Sequence, residues 1–264
     1  MNEQFFQERY PEGYPKTVNV NEFSCITEIF DGFVKKYAEL PAFTCLGQTM
    51  TYAQLDEKSA AFASFLQNET SLQAGDRIAV QLPNVLQYPV VVFGAMRAGI
   101  IVVNTNPLYT EREMEHQFND SGAKALVVLA NFGDKVERVV PKTGIKHVIV
   151  TNVGDMHCPL KRTLINTVLK YVKKEVPAAN IPGAIPLRKA LSKGKGKPYT
   201  SAPATSEDIA VLQYTGGTTG VAKGAMLTHG NLMANMAQAY GVFKQVMNEG
   251  EETVICPLPL YHIY

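Results

Sequence analysis

From Gly75 onward the chain alternates between two patterns of apolar and polar positions. Arg77–Leu82, Ile100–Val103, Lys124–Ala130 and His147–Thr151 are short, nearly continuous apolar runs and read as strands. Between them, Val85–Ala98, residues 111–120 and Asp134–Val140 read as helices. Thr110 followed by Glu113 is a capping box for the second of these. Continuous apolar strands separated by helices predict an α/β fold, a largely parallel sheet covered on both faces. Upstream, Ile26, Ile29, Phe30, Phe33, Val34 and Tyr37 recur at helical spacing, and Pro41 ends that helix. Ala42–Leu46 and Thr49–Tyr52 flank Gly47-Gln48 and predict a hairpin. Thr51 is placed to cap a following helix whose inner face holds Leu55, Phe62 and Leu66. Residues 1–20, with Pro11, Gly13 and Pro15, read as an irregular lead-in, and no internal repeat is visible.

The chain has 264 residues, 46% hydrophobic and 19% charged, which is enough for a large buried core in one or two domains. Twenty-five Lys and Arg against 24 Asp and Glu leave a net charge of +1, which gives no general basis for binding nucleic acid. Cys25, Cys45, Cys158 and Cys256 lie far apart, which excludes a dense disulfide scaffold and a local zinc knuckle and fits reduced thiols in the cytoplasm. No secretory signal is visible. The longest apolar region, Val90–Val103, carries Arg97 and is shorter than the ~20 residues that span a bilayer. These features predict a cytoplasmic protein and leave peripheral membrane contact open. The closing run Thr253–Tyr264, with two prolines, two tyrosines and no acidic or basic side chain except His262, reads as a cut through a larger protein.

Charge is distributed unevenly. Residues 160–197 hold ten basic residues and one acid, Glu175, a local charge of +9 against −8 elsewhere. Leu160, Leu164, Val168, Val172 and Val176 repeat every four residues, supported by Ile165 and Leu169, and predict a basic amphipathic helix over 160–176. Two placements are open for its apolar stripe. It can lie on an anionic membrane surface, on the inner face of the cell membrane, or pack on this protein's own core. The absence of Trp and Phe favours packing. Pro177–Pro203, rich in Pro, Gly, Lys and Ser, reads as a mobile connector.

The candidate chemistry lies between Asp208 and Asn231. A strand, Ile209–Tyr214, runs into Thr215, Gly216, Gly217, Thr218, Thr219 and Gly220, with Lys223 close behind. Glycines let backbone N–H groups approach an anion, Thr hydroxyls add donors, and Lys223 adds a positive charge, a set that suits a phosphate chain. The spacing is not that of a Walker A loop, which needs Gly-Lys-Ser/Thr after a second glycine. Ala225–Thr228 reads as a second strand, so the loop joins two strands. A helix starts near Asn231, with Leu232, Met233, Met236 and Tyr240 as its apolar side. A flexible Gly/Thr hairpin tip is the alternative reading.

The run Tyr214-Thr-Gly-Gly-Thr-Thr-Gly-Val-Ala-Lys-Gly224 resembles the phosphate-binding signature of the adenylate-forming superfamily. With Asn104-Thr-Asn-Pro-Leu-Tyr-Thr110 and Pro257-Leu-Pro-Leu-Tyr-His-Ile263, the chain resembles bacterial long-chain fatty-acid–CoA ligases from about Phe23 to its end. The resemblance implies an N-terminal ATP- and acyl-binding domain fragment over residues 1–264. A basic amphipathic insertion occupies about 155–203, and the C-terminal domain is absent. It implies AMP-forming fatty acid activation with Mg-ATP, then acyl transfer to coenzyme A. Thr215 and Lys223 are the catalytic candidates. Tyr214 and Thr215 through Gly220, with Lys223, are expected to hold the nucleotide's phosphates, and Tyr261 and His262 to line the acyl pocket. His229 is expected to be a helix-start residue, and Asn104 and Asn106 to shape a turn before Pro107 without a catalytic role. The family's adenine motif with its magnesium-binding Glu, its ribose-binding acid, its hinge and its C-terminal Lys find no match here, so the 264 residues alone are expected to be inactive. No residue is offered as a metal ligand. A ligase for another carboxylate and a non-catalytic nucleotide- or membrane-binding module stay open, as does a homodimer.

Overall fold

The structure is a computed structural model that describes residues 9–10, 14–215 and 222–262. Helix α1 (Ile26–Lys36) leads to a separate hairpin of β1 (Pro41–Cys45) and β2 (Gln48–Thr51). The turn falls at Leu46-Gly47, one residue earlier than expected, because Leu46 and Gly47 both take positive φ and so make the reversal themselves. Helix α2 (Tyr52–Glu69) starts at a full capping box in which Thr51 and Gln54 satisfy each other's backbone N–H groups, a cap worth about 1 kcal/mol.

A seven-stranded sheet then forms in the order β7-β6-β5-β3-β4-β8-β9. Its parallel strands are β3 (Arg77–Gln81), β4 (Ile101–Asn104), β5 (Ala125–Leu129), β6 (His147–Thr151), β7 (Ile185–Pro186) and β8 (Ile209–Thr215). Only β9 (Lys223–Thr228) runs antiparallel, paired to β8. Helices α3 (Gln87–Arg97), α4 (Glu111–Ser121), α5 (Gly133–Val139) and α6 (Pro159–Thr167) alternate with the strands.

Period-two alternation divides the core. Ile78, Val80, Val102, Val127 and Ile149 face α2 and α3, where Phe62, Phe65, Leu66 and Val91 meet them. Ala79, Val103, Leu126, Val128 and Val148 face the other way, toward Met114 and Phe118 of α4 and Val136 and Val139 of α5. Each large apolar side chain so buried contributes about 1.5–3 kcal/mol. Arg97, the one charge in the apolar run, is buried. Its guanidinium lies over the Phe30 ring and pairs with Asp31 at 2.6 Å and Asp56 at 2.5 Å, which ties α3 to α1 and α2. No helix among the described residues is long and apolar enough to cross a membrane.

The segment read as a mobile connector is ordered against the core. It supplies β7 and helix α7 (Leu187–Gly194), whose Leu187 and Ala190 are fully buried. The composition concealed this because the apolar face is only Leu187, Ala190 and Leu191, set among lysines. Those lysines are matched to acids on α2: Lys193 and Lys197 pair with Glu69 at 2.7 and 3.0 Å, and Lys195 with Glu57 at 2.7 Å. The two lysines hold the Glu69 carboxyl down at about 2.

The amphipathic helix is also placed differently from the favoured reading. Helix α6 and the π-helical turn Val168–Val172 that extends it contain no buried residue. Asn166 anchors the helix, accepting from Gly154 N at 2.9 Å and donating to Asp155 at 3.1 Å. Part of the stripe points outward: Leu160 is 83% exposed, Leu164 62% and Val172 71%, while Ile165, Val168, Leu169 and Val176 are half-buried. A four-residue apolar repeat drifts on a 3.6-residue helix, and the wider i→i+5 turn at 168–172 offsets that drift. Helix α8 (His229–Phe243) begins at a capping box of Thr228 and Asn231. Met233 is buried and Leu232 packs on the core beside it, while Met236 and Tyr240 are exposed.

Close packing of α7 on α2 yields a test. A Cβ at Gly194 would collide with the Ala61 carbonyl oxygen of α2. Gly194→Ala is expected to lower stability by about 1–3 kcal/mol or more and to speed amide exchange across α7. Denaturant unfolding with hydrogen exchange measures both, and unchanged values would mean that α7 does not pack as described.

Candidate active site

Helix α3 follows β3 on one face of the sheet and α4 follows β4 on the other, so the chain diverges at the carboxyl ends of these neighbouring strands. Such a point is where open α/β sheets place ligands. The strand-end residues here are polar and buried: Gln81 on β3, Asn104 on β4 and Gln213 on β8.

Asn104 and Gln213 are joined to the segment from Cys256 to His262, while Gln81 donates to the Asn106 carbonyl. Asn104 Nδ2 donates to Gln213 Oε1 at 3.0 Å, and Gln213 Nε2 donates to the Tyr261 carbonyl at 3.1 Å. The Tyr88 hydroxyl stands 2.8 Å from both Asn104 Oδ1 and the Leu260 carbonyl. Asn84, just after β3, binds the same segment at three points. Its Nδ2 donates to the Cys256 and Leu258 carbonyls, and its Oδ1 accepts from Leu260 N at 2.8 Å. Tyr261 is buried against the core and His262 is exposed, their ring centroids 4.7 Å apart.

Thr215 ends β8 and Lys223 begins β9, and the two are cross-strand partners, both exposed. Gly216, Gly217, Thr218, Thr219 and Gly220 lie outside the described residues. Tyr214 projects to the opposite face from Thr215, as adjacent strand residues must. Its ring is buried, and a Cβ at Gly224 would stand 2.9 Å from it, so glycine is what lets the ring lie across β9. The Tyr214 hydroxyl donates to Asp120 of α4 at 2.5 Å, and burial followed by that carboxylate pushes its pKa well up and keeps it protonated. On the same helix His116 Nε2 lies 3.0 Å from the Ala222 carbonyl.

Gln213 thus brings the end of β8 and the Tyr261 segment together, two residues from Thr215. His229 starts α8, as expected: its Nδ1 accepts from Ile26 N at 3.2 Å, and burial lowers its pKa, keeping the ring neutral. Asn106 shapes the turn through its bond from Leu108 N. Asn104 does not. It is the last residue of β4 with its side chain inside the network, and the proline three residues later masked that strand position. Asn84, Tyr88, Asp120 and His116 escaped sequence reasoning because each acts across more than a dozen residues of chain. The polar Asn84 immediately after an apolar strand was the one visible signal. Among the described residues no three His, Cys, Asp or Glu side chains cluster to hold a metal ion.

The profile of a family described as AMP-binding enzyme matches residues 30–264. This chain belongs to the AMP-binding enzyme family. A long-chain-fatty-acid–CoA ligase of Escherichia coli O157:H7 is 49% identical over 256 residues, 97% of this chain and 46% of that protein. One from Haemophilus influenzae is 48% identical over 264 residues, 99% of this chain and 47% of that protein. The chain therefore spans about half the length of these relatives. The crystal structure of a long-chain-fatty-acid–CoA ligase from Archaeoglobus fulgidus superimposes with a TM-score of 0.72 over 96% of this chain and 46% of that one, at 24% identity, and shows the same fold. The fold read from the sequence, largely parallel strands covered by helices, is the one this likeness shows.

Asn84 offers a local test of this arrangement. Asn84→Ala removes three hydrogen bonds, each worth about 1 kcal/mol net, and leaves Leu260 N without its partner. The Leu260 amide is expected to exchange at least about 10-fold faster, since 1.4 kcal/mol is a factor of ten, with α2 and β5 unaffected. Equal protection at Leu260 in the variant would show that the segment is held by other contacts.

Proposed function

We propose that this chain is the N-terminal part of an AMP-forming long-chain fatty-acid–CoA ligase that uses fatty acid, ATP and coenzyme A. The observation that carries the reading is the 49% identity over 97% of the chain to a ligase of that name. The site geometry supports it. In the first step a fatty acid carboxylate oxygen bonds to the α-phosphorus of ATP, and the bond from that phosphorus to the β-phosphate's bridging oxygen breaks, giving acyl-adenylate and pyrophosphate. In the second, the coenzyme A thiol gives its proton to solvent, its sulfur bonds to the acyl carbon, and the bond from that carbon to the phosphate oxygen breaks, releasing AMP. Negative charge grows on the departing pyrophosphate. The Lys223 ammonium and Thr215 hydroxyl, paired across the β8–β9 ladder, are suited to receive it. Tyr214 contributes as the support of that ladder, and Tyr261 and His262 stand on the acyl side. Magnesium would enter with the nucleotide and offset part of its phosphate charge.

In the full-length ligase, Lys223→Ala and Thr215→Ala are each expected to lower fatty acid-dependent ATP–pyrophosphate exchange about 100-fold or more with the melting temperature preserved. Normal exchange in both would overturn the assignment. Exchange driven by an aryl or amino acid in place of a fatty acid would keep the chemistry and replace the substrate.

The exposed stripe of α6 favours a second element of this reading, peripheral contact with an anionic membrane on the cytoplasmic side. Leu160, Leu164 and Val172 are uncovered by any described part of the chain. Lys170, Lys173 and Lys174 beside them are exposed and form no ion pair among the described residues. Each lysine near such a surface is worth about 1 kcal/mol, and a shallowly inserted apolar face adds to it. Lys193, Lys195 and Lys197 are committed to Glu69 and Glu57 and contribute less. Co-sedimentation with anionic vesicles is expected to fall with salt and to be lost in Lys170→Glu/Lys173→Glu/Lys174→Glu. Equal binding to neutral vesicles, or none lost in the variant, would refute the electrostatic contact.

A further inference from the structure

Thr215 and Lys223 stand at the exposed end of the β8–β9 ladder, and β9 is the sheet's outermost strand. The residues beside them are gripped by one helix. Asp120 accepts from the hydroxyl of Tyr214, which precedes Thr215. His116 meets the carbonyl of Ala222, which precedes Lys223. A carbonyl only accepts, so His116 must carry its proton on Nε2 and donate. His116 and Asp120 are four residues apart and therefore share a helix face. That helix is itself immobilised: Met114 and Phe118 are fully buried, its first turn is closed by the Thr110–Glu113 capping box, and Gln117 donates to the Asn104 carbonyl at 2.9 Å. The glycine at 224 completes the arrangement by giving the Tyr214 ring room to reach Asp120.

We infer that His116 and Asp120 are positioning residues that anchor the paired Thr215 and Lys223 to the rest of the sheet for a polyphosphate ligand, the ATP of the reaction proposed above. The inference rests on that proposal for the identity of the ligand. Neither residue touches the nucleotide. His116 holds the start of β9 and Asp120, through Tyr214, holds the end of β8, so both strands are referred to one rigid helix. The ladder pairs Thr215 with Lys223; without this anchor its end would move against the sheet, and binding would lose part of what preorganisation supplies.

The test compares His116→Ala, Asp120→Ala, His116→Gln and Asp120→Asn with Lys223→Ala in the full-length ligase. His116→Ala and Asp120→Ala are expected to lower kcat/KM for ATP about 10-fold or more, while KM for fatty acid and the melting temperature hold. His116→Gln keeps an N–H donor and Asp120→Asn keeps an acceptor, so each should recover most of the loss. Tryptic cleavage after Lys223, followed by mass spectrometry, should quicken in the two Ala variants and supplies a readout independent of turnover. If Lys223→Ala is impaired while His116→Ala and Asp120→Ala keep wild-type ATP kinetics and cleavage rates, the positioning role is overturned and the phosphate reading stands. If Lys223→Ala is itself unimpaired, the phosphate reading falls, and faster cleavage in the Ala variants would then support an anchor without a nucleotide role. Equal losses for ATP and fatty acid together with a lowered melting temperature would mark a structural role only and overturn the inference.

Discussion

Strands buried on both faces can place polar side chains only at their ends, and this constraint organises the molecule. Along β3, β4, β5 and β6 the inward positions on each face are apolar, and successive residues are divided between two helical layers. Polarity resumes at the carboxyl edge, with Gln81, Asn104 and Gln213. There the connections part toward opposite faces and leave room for a crossing segment. Buried amides must find partners, and Asn104 and Gln213 find them in each other, in Tyr88 and in the backbone at Tyr261. The same requirement that makes the sheet edge polar therefore fastens the candidate acyl-side segment to it.

The β8–β9 pair departs from the parallel pattern and carries the candidate phosphate residues. An antiparallel ladder sets Thr215 opposite Lys223, so the hydroxyl and the ammonium arise from facing positions. On the proposed reading the charge comes from a lysine and the donors from a strand end, so no helix dipole takes part. Strand alternation sends Tyr214 away from that side to Asp120, so one residue type change along β8 separates what can meet a ligand from what supports it.

The basic region divides along the same physical line. Where its lysines face acids on α2 they are spent in docking α7, with Glu69 serving both Lys193 and Lys197. Where they face solvent, beside Leu160, Leu164 and Val172, they remain available. One stretch of uniform composition thus does two different things, decided by whether an acid stands opposite.

The strand and helix sequence of the sheet was legible in the chain because period-two and helical apolar patterns are local and burial enforces them; β3 to β6 and the caps at Thr51 and Thr110 follow from neighbours within a few residues, while the cap at Thr228, which starts α8 two residues before Asn231, was not read. The strands that flank the Tyr214–Gly224 run, β8 and β9, were legible for the same reason. Tertiary structure alone decided the strand order, the docking of α7, the outward stripe of α6 and the partners of Asn84, Tyr88, Asn104, His116 and Asp120. Each of these depends on groups far apart in sequence, where composition gives charge and polarity but not what stands opposite. Lys193 looked like a solvated lysine until Glu69, 124 residues away, was placed beside it. Asn104 looked like a turn former until Gln213, 109 residues away, claimed its amide.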